Sequence, residues 1–482
     1  MLKLNDPTLL ETRSYINGEW VEADKTYDVV NPATGETVAS VADFGRQGVK
    51  EAIDGAYAVQ KEWAALTAKE RADILLKWHD LILDNQEDLA QILTAEMGKP
   101  IAEARGEIGY GASFIRWFAE ECRRIDGDII PGHQRDKRIL VLKQPIGVVG
   151  SITPWNFPNA MIARKVAPAL ASGCTFVGRP AELTPLSATV MAVLGERAGI
   201  PKGVLNIVTG SDAAEMGKEL CENTKVRKLT FTGSTRVGSI LMQQCAGDIK
   251  KLSLELGGNA PFIVFNDADI DKAIEGCMIS KFRNAGQTCV CANRIYVQSE
   301  VYDEFAEKLA AAMADLSIGN GADETTRIGP LINANGLAKV EDHLTDATGK
   351  GAKVISGGKR SDAGDLFFEP TVLTGVTNDM KVTREETFGP LAPLFKFETD
   401  DEVIERANDT EFGLACYFYS NDLSRVWKVT EALEYGIVGV NTGLISSTEG
   451  PFGGVKQSGL GREGSKYGID DFLELKYVCM SV

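Results

Sequence analysis

"KLTFTGSTRVG", residues 228–238, is an apolar alternating run, a Thr-Gly-Ser turn and the start of a helical stretch. That order, strand then tight turn then helix, is the unit of a parallel α/β sheet. A helix starting at such a turn offers unpaired N–H groups and the positive end of its dipole, which suits a pyrophosphate. The glycines are spaced G-x-x-x-x-G, so an ordinary strand-to-helix turn is the competing reading. A formal G-x-G-x-x-G occurs in "GLGREG" (459–464), but no apolar strand precedes it and "FGGVKQS" before it reads as loop.

The same alternation runs outward from this stretch. Between about 139 and 265, the runs "ILVLKQ", "GVVGSIT", "CTFVG", "VLNIVTG", "KLTFTGS" and "FIVF" are separated by amphipathic segments. A second series follows with "NRIYVQ", "AKVISGG", "LAPLFKF", "CYFYS" and "GIVGVN". Two α/β units in tandem are expected. Helical periodicity over 70–97 ends at Gly98-Lys99-Pro100, and His79 within it reads as a packing residue. "RILVLKQ" (138–144) and "FLELKYVC" (472–479) have strand periodicity at the margins, as edge strands or as strands exchanged between subunits.

Composition narrows the function. A chain of 482 residues with net charge −17 is a poor match for nucleic acid or an anionic membrane. No apolar run reaches membrane-spanning length, and the first residues lack a signal-peptide pattern, so a cytoplasmic protein is expected. Nine cysteines without a regular framework, and only His79, His133 and His343, argue against a disulfide scaffold and a zinc site.

The chemistry centres on "FRNAGQTCVCANR" (282–294), where Cys289 and Cys291 are two positions apart. A nucleophilic cysteine needs a base or nearby positive charge, and three scattered histidines make a papain-like pair improbable. "SLELGGNAPF" offers Glu255 before a Gly-Gly loop, "TPWNFP" offers the Asn156 amide between two prolines, and Arg283 precedes Cys289 by six residues. Nucleophile, base and oxyanion donor together are the parts of an acyl-transfer site.

"TPWNFP", "FTGSTRVG", "LELGGNAP", "GQTCVCANR", "EETFGPL" and "PFGGVKQSGLGREGS", in that order, resemble the aldehyde dehydrogenase superfamily, and the likeness runs from "INGEW" to "LELKYVC". Within it, the segments around Asn156, Cys289 and the C-terminus resemble the succinate-semialdehyde dehydrogenases. The resemblance implies an aldehyde dehydrogenase fold of two Rossmann-like α/β domains with a small β oligomerisation arm. It places a dinucleotide-binding domain at 1–122 and 145–255, a catalytic domain at 256–450, and the arm and C-terminal strand at 123–144 and 451–482.

The resemblance also implies roles. Cys289 attacks the aldehyde, Asn156 and the Cys289 N–H hold the oxyanion, and Glu255 activates the water that hydrolyses the thioester. Gln287 and Thr288 shape the loop. Thr153, Trp155, Arg179, Glu182, Gly233, Ser234, Glu386 and Phe388 would contact the dinucleotide, with no metal. The family's usual Lys-Pro-Ala is here "RPAEL", with Arg179 in the lysine position. Glu182 would accept both ribose hydroxyls of NAD and repel a 2′-phosphate, whereas Arg179 suits phosphate, so NAD is expected to be preferred and NADP tolerated. Arg164, Arg283 and Ser446 match the positions that bind a substrate carboxylate, which makes succinate semialdehyde the leading substrate, with glutarate semialdehyde and sulfolactaldehyde as alternatives. Cys291 is either a small buried side chain or the partner of Cys289 in a reversible redox switch. A homo-oligomer, dimer or tetramer, is expected, with no nucleic-acid or membrane partner.

Overall fold

The computed structural model describes residues 2–482. Its first large sheet has a parallel centre of five strands, in spatial order Lys251–Glu255, Val226–Thr232, Val148–Ile152, Thr175–Arg179 and Leu205–Ile207. Ser14–Ile16 and Glu19–Val21 extend one edge antiparallel, and Gly459–Leu460 closes the other. Chain order reverses between Val148–Ile152 and Val226–Thr232, which makes the crevice at their carboxyl ends the topological switch point of the sheet.

The second sheet is parallel over six strands, Thr371–Thr374, Leu391–Phe397, Ala292–Gln298, Ala260–Val264, Ala415–Tyr419 and Ile437–Val440. "AKVISGG" differs from its expected role, because Lys353–Ser356 pairs antiparallel at the edge. Helices cover both sheets, and their buried faces form separate cores, one around Trp78, Phe114, Phe118 and Phe176, another around Phe262, Phe305 and Tyr417.

Two sequence expectations change. The periodic stretch 70–97 is two helices, Ala68–Asp84 and Gln86–Met97, broken at Asn85. Asn85 leaves helical geometry (φ −110°, ψ 17°) and turns its amide back onto the Leu81 carbonyl, a local bond that competes with helix continuation. Of the two marginal strands, expected as edge strands or as strands exchanged between subunits, neither joins the edge of a large sheet. Lys137–Pro145 and Leu473–Ser481 pair antiparallel with each other over nine positions, with Asp128–Ile130 alongside, as a third sheet.

Candidate active site

The stretch 228–238 folds as read: strand Val226–Thr232, turn at Gly233, helix Thr235–Cys245. Ser234 caps that helix through its Oγ on the Val237 N–H. Thr153, Trp155 and Asn156 follow the neighbouring strand Val148–Ile152, and the Thr153 N–H bonds the Arg179 carbonyl. These residues therefore share the carboxyl end of the first sheet. Trp155 and Phe388 meet edge to face, centroids 5.6 Å apart. Arg179 Nη2 reaches Glu182 Oε2 at 2.8 Å and the Gly210 carbonyl at 3.2 Å, while its buried Nε has no partner.

Glu255 ends strand Lys251–Glu255, and three residues later the chain passes the cysteine loop. A Cβ on Gly258 would lie 2.5 Å from the Cys289 carbonyl oxygen, so only glycine lets the two segments approach this closely. Gly258 N–H also donates to Glu386 Oε1 at 3.1 Å. "GLGREG", which competed as a phosphate loop, has another job. Gly459 and Leu460 pair with Glu255 and Leu254 along the edge of this strand.

Cys289 lies on the connection from helix Ile270–Phe282 to strand Ala292–Gln298. Asn284, Ala285 and Gly286 all have φ between 53° and 76°, so the chain makes a left-handed turn just before Cys289. Gln287 shapes this loop: its Nε2 donates to the Asn284 and Pro330 carbonyls and its Oε1 accepts the Ile332 N–H. Tyr417 OH donates to the Val290 carbonyl at 2.7 Å. Asn156 Nδ2 donates to the Gln287 carbonyl at 3.1 Å, which leaves its second amide hydrogen uncommitted.

Cys289 is half-buried, and burial pushes its thiol up to about 12; Arg164 and Arg283 pull it down, Glu386 and Glu255 push it up. Glu255 is buried with neither oxygen hydrogen-bonded, and burial, aided by Glu463, raises its carboxyl well above the usual range. Burial also lifts Glu386 to about 7. Burial thus works against the charged form of both the thiol and the carboxyl in the resting site.

The three substrate-site candidates are not equivalent. Arg283 and Ser446 line one narrow pocket with Thr288, Tyr417 and Ile445. Among the described residues Arg283 has no carboxylate within ion-pair distance, and its guanidinium lies 5.1 Å from the Phe157 ring centre. Arg164 is fully buried, stacked 4.0 Å over Phe452 and paired at 2.8 Å with Glu463, yet Nε and Nη2 make no aligned hydrogen bond. Cys291 is buried, its sulfur 3.3 Å from Lys281 Nζ. His79 packs within its helix and makes its side-chain hydrogen bond to Asp80.

Several residues of the site were missed by sequence reasoning. Lys99, Glu103, Glu107 and Asn284 contact the Asn156 and Cys289 loops through hydrogen bonds spanning 52 to 181 residues. A signal existed in "GKPIAEARGE": a lysine held between glycine and proline, then carboxylates four apart on one helix face.

A crevice at the switch point of a parallel sheet, with a cysteine loop, an asparagine amide and a buried carboxyl drawn together near it, is an arrangement suited to cysteine-based oxidoreductases. Residues 20–478 match the aldehyde dehydrogenase family, and the chain belongs to it. It is 62% identical to a glutarate-semialdehyde dehydrogenase of Pseudomonas putida and 61% identical to the NADP+-dependent succinate-semialdehyde dehydrogenase of Escherichia coli, each over 100% of both chains. It is also 60% identical to a 3-sulfolactaldehyde dehydrogenase of Pseudomonas putida, over 100% of this chain and 99% of the relative. The crystal structure of an E. coli NADP-dependent enzyme superposes with TM-score 0.99 at 61% identity, covering 100% of both chains. Among the described residues no helix is long and apolar enough to cross a membrane, and no cluster suits a metal ion.

Proposed function

We propose that the protein oxidises a short aldehyde with a distal anionic group to the acid, succinate semialdehyde first among the candidates. The observation that carries this is Arg283, a cation that has no carboxylate partner among the described residues, lines a pocket with Ser446 and bears electrostatically on the Cys289 thiol. Arg164, with two unaligned donors, supplies the second positive group. Two such guanidinium groups recognise a carboxylate or a sulfonate, and one methylene of substrate length is worth only ~1–3 kcal/mol. Glutarate semialdehyde and sulfolactaldehyde are therefore the alternatives, each matching the name of a relative at similar identity.

The residues present fit a nicotinamide dinucleotide. Ser234 and the helix it caps would face the pyrophosphate behind the Gly233 turn. Arg179 and Glu182 would take the adenosine ribose, and Thr153, Trp155, Glu386 and Phe388 the nicotinamide end. Arg179 Nε has no partner among the described residues, and the Glu182 carboxylate, held by Arg179, is 43% exposed, so both are within reach of such a ligand. A bound dinucleotide would supply the hydride acceptor. NAD is the preferred form, because Glu182 opposes a 2′-phosphate; the naming of the E. coli relative as NADP+-dependent is the observation on the other side.

Cys289, once its proton has passed to solvent, adds to the carbonyl carbon to give a thiohemiacetal. The Asn156 amide and the Cys289 N–H, which has no acceptor among the described residues, hold the oxyanion. After hydride loss a thioester remains on Cys289. Glu255, ionised, takes a proton from water, and hydroxide releases the acid. Residues 1–122 with 145–255 would form the cofactor unit and 256–450 the catalytic unit. The arm, 123–144 with 451–482, exposes Ile129, Leu142, Leu475 and Tyr477, a surface suited to joining subunits in a dimer or tetramer. We assign Cys291 as a redox brake: peroxide takes two electrons and two protons from the Cys289 and Cys291 thiols, leaving a disulfide and water. Peroxide-treated enzyme that keeps full activity, with Cys291→Ala behaving identically, would contradict that role.

The experiment is NADH formation with succinate semialdehyde, sulfolactaldehyde and uncharged butanal. The expected result is a kcat/KM for succinate semialdehyde ~100-fold above butanal, the scale of hydrogen bonds to charged groups, abolished in Arg283→Met. Equal rates with butanal would overturn the anion pocket, and a sulfolactaldehyde advantage would rename the substrate.

A further inference from the structure

Gly98 ends helix Gln86–Met97 in a left-handed conformation (φ 88°), and Pro100 stands at the entrance of helix Ile101–Glu121. Lys99 between them is directed inward and is fully buried. Its Nζ donates to Glu107 Oε2 at 2.5 Å and to the Asn156 carbonyl at 2.7 Å, and it sits 3.8 Å from the Phe157 ring centre. The ammonium is thus aimed at the backbone of the loop that carries the oxyanion donor.

The same helix grips two other segments. Glu107 Oε1 accepts the Asn159 and Ala160 N–H groups at 3.0 and 3.2 Å, the free donors at the start of helix Pro158–Ser172. Glu103 Oε2 accepts the Asn284 N–H at 2.8 Å, within the left-handed turn before Cys289. Asn284 Nδ2 then bridges the Asn156 and Gln287 carbonyls at 3.1 and 3.2 Å, and Gln287 is the carbonyl that Asn156 Nδ2 itself bonds. The ring closes: Lys99 and Asn284 both hold the Asn156 carbonyl, and Asn156 and Asn284 both hold the Gln287 carbonyl.

We propose that Lys99 is a positioning residue for the oxidation, holding Asn156 at the distance from Cys289 at which its amide can meet the oxyanion, with Glu103 fixing the nucleophile's side of the same ring. Lys99 touches neither substrate nor cofactor and acts through the Asn156 backbone. The inference rests on the reading of Asn156 as oxyanion donor. A buried Lys99–Glu107 pair would stabilise poorly compared with apolar packing. Its second bond, to a carbonyl of the catalytic loop, gives the ammonium a use that packing alone would not.

The test is a mutant cycle read by kcat, KM and thermal unfolding. Lys99→Met is expected to lower kcat about 10²-fold, the scale of an ångström of misplacement, with aldehyde KM and NAD affinity nearly unchanged. It also strands Glu107, so stability falls. The double variant Lys99→Met/Glu107→Gln removes both charges and keeps an acceptor for helix Pro158–Ser172. It is expected to regain stability relative to Lys99→Met while kcat stays low, and it carries the comparison if Lys99→Met does not fold, with Glu107→Gln as reference. In an Asn156→Ala background the lysine substitution is expected to cost less than about threefold more, since residues acting as one unit are not additive. Recovery of kcat in step with stability, or a full loss on top of Asn156→Ala, would overturn the role of Lys99. Wild-type kcat in Asn156→Ala alone would instead overturn the oxyanion reading beneath it.

Discussion

Around Cys289 the polar groups divide by bonding, and on the bonded side Lys99, Glu107, Asn284 and Gln287 hold one another and the two loops. On the unbonded side Glu255 has two oxygens without a hydrogen-bond partner and Arg283 has no carboxylate within ion-pair distance among the described residues, while Arg164 is held by Glu463 through Nη2 at 2.8 Å. A buried polar group without a partner costs ~1–3 kcal/mol, so the second side carries a standing cost that the first does not. The difference separates scaffold from reaction space. Under the proposed function, the saturated side would fix geometry before substrate arrives, and the unsaturated side would keep donors and acceptors free for an anion and for water.

Substitutions on the two sides should therefore fail differently. The largest effect among them belongs to the rigid side: Asn156→Ala should lower kcat ~10²–10³-fold with little change in KM, measured as steady-state NADH formation. A loss carried in KM would break the comparison, placing Asn156 in substrate binding. Next is Glu182→Ser at the cofactor edge. Removing the carboxylate that opposes a 2′-phosphate should move the NADP/NAD ratio of kcat/KM by ~10-fold or more toward NADP, with Arg179 then free to pair the phosphate. A ratio that stays put would mean that Glu182, held by Arg179, never meets the ribose. The smallest is a pH effect. Glu386 is neutral below about 7 and ionised above it, and the ionised form accepts hydroxyl donors more strongly. NAD affinity, by fluorescence titration, should rise a few-fold between about pH 6 and 8 and be flat in Glu386→Gln.

How much of this was legible beforehand follows the range of the interactions. The strand–turn–helix of 228–238 and the strand runs on either side are local patterns, and they fold as the residues dictate. Cys289, Glu255 and Asn156 carried recognisable local motifs, and the structure brings their three loops to one place. The break at Asn85 was hidden because apolar periodicity continues through it. The pairing of 137–145 with 473–481 joins strands over three hundred residues apart, and period-two alternation says nothing about a partner. Lys99 read only as part of a helix stop, since its meaning lies in a carbonyl 57 residues away. The inequality of Arg164 and Arg283 depends on Glu463, which nothing near either arginine announces.

The most direct measurement is a pre-steady-state trace of NADH formation with Glu255→Gln and succinate semialdehyde. A free, water-activating carboxyl on the unsaturated side predicts a burst close to one equivalent of NADH per active site, a thioester on Cys289 visible by mass spectrometry, and slow turnover afterwards. Undiminished turnover with no burst and no trapped thioester would contradict it, and the orphaned oxygens of Glu255 would then have no part in the hydrolysis.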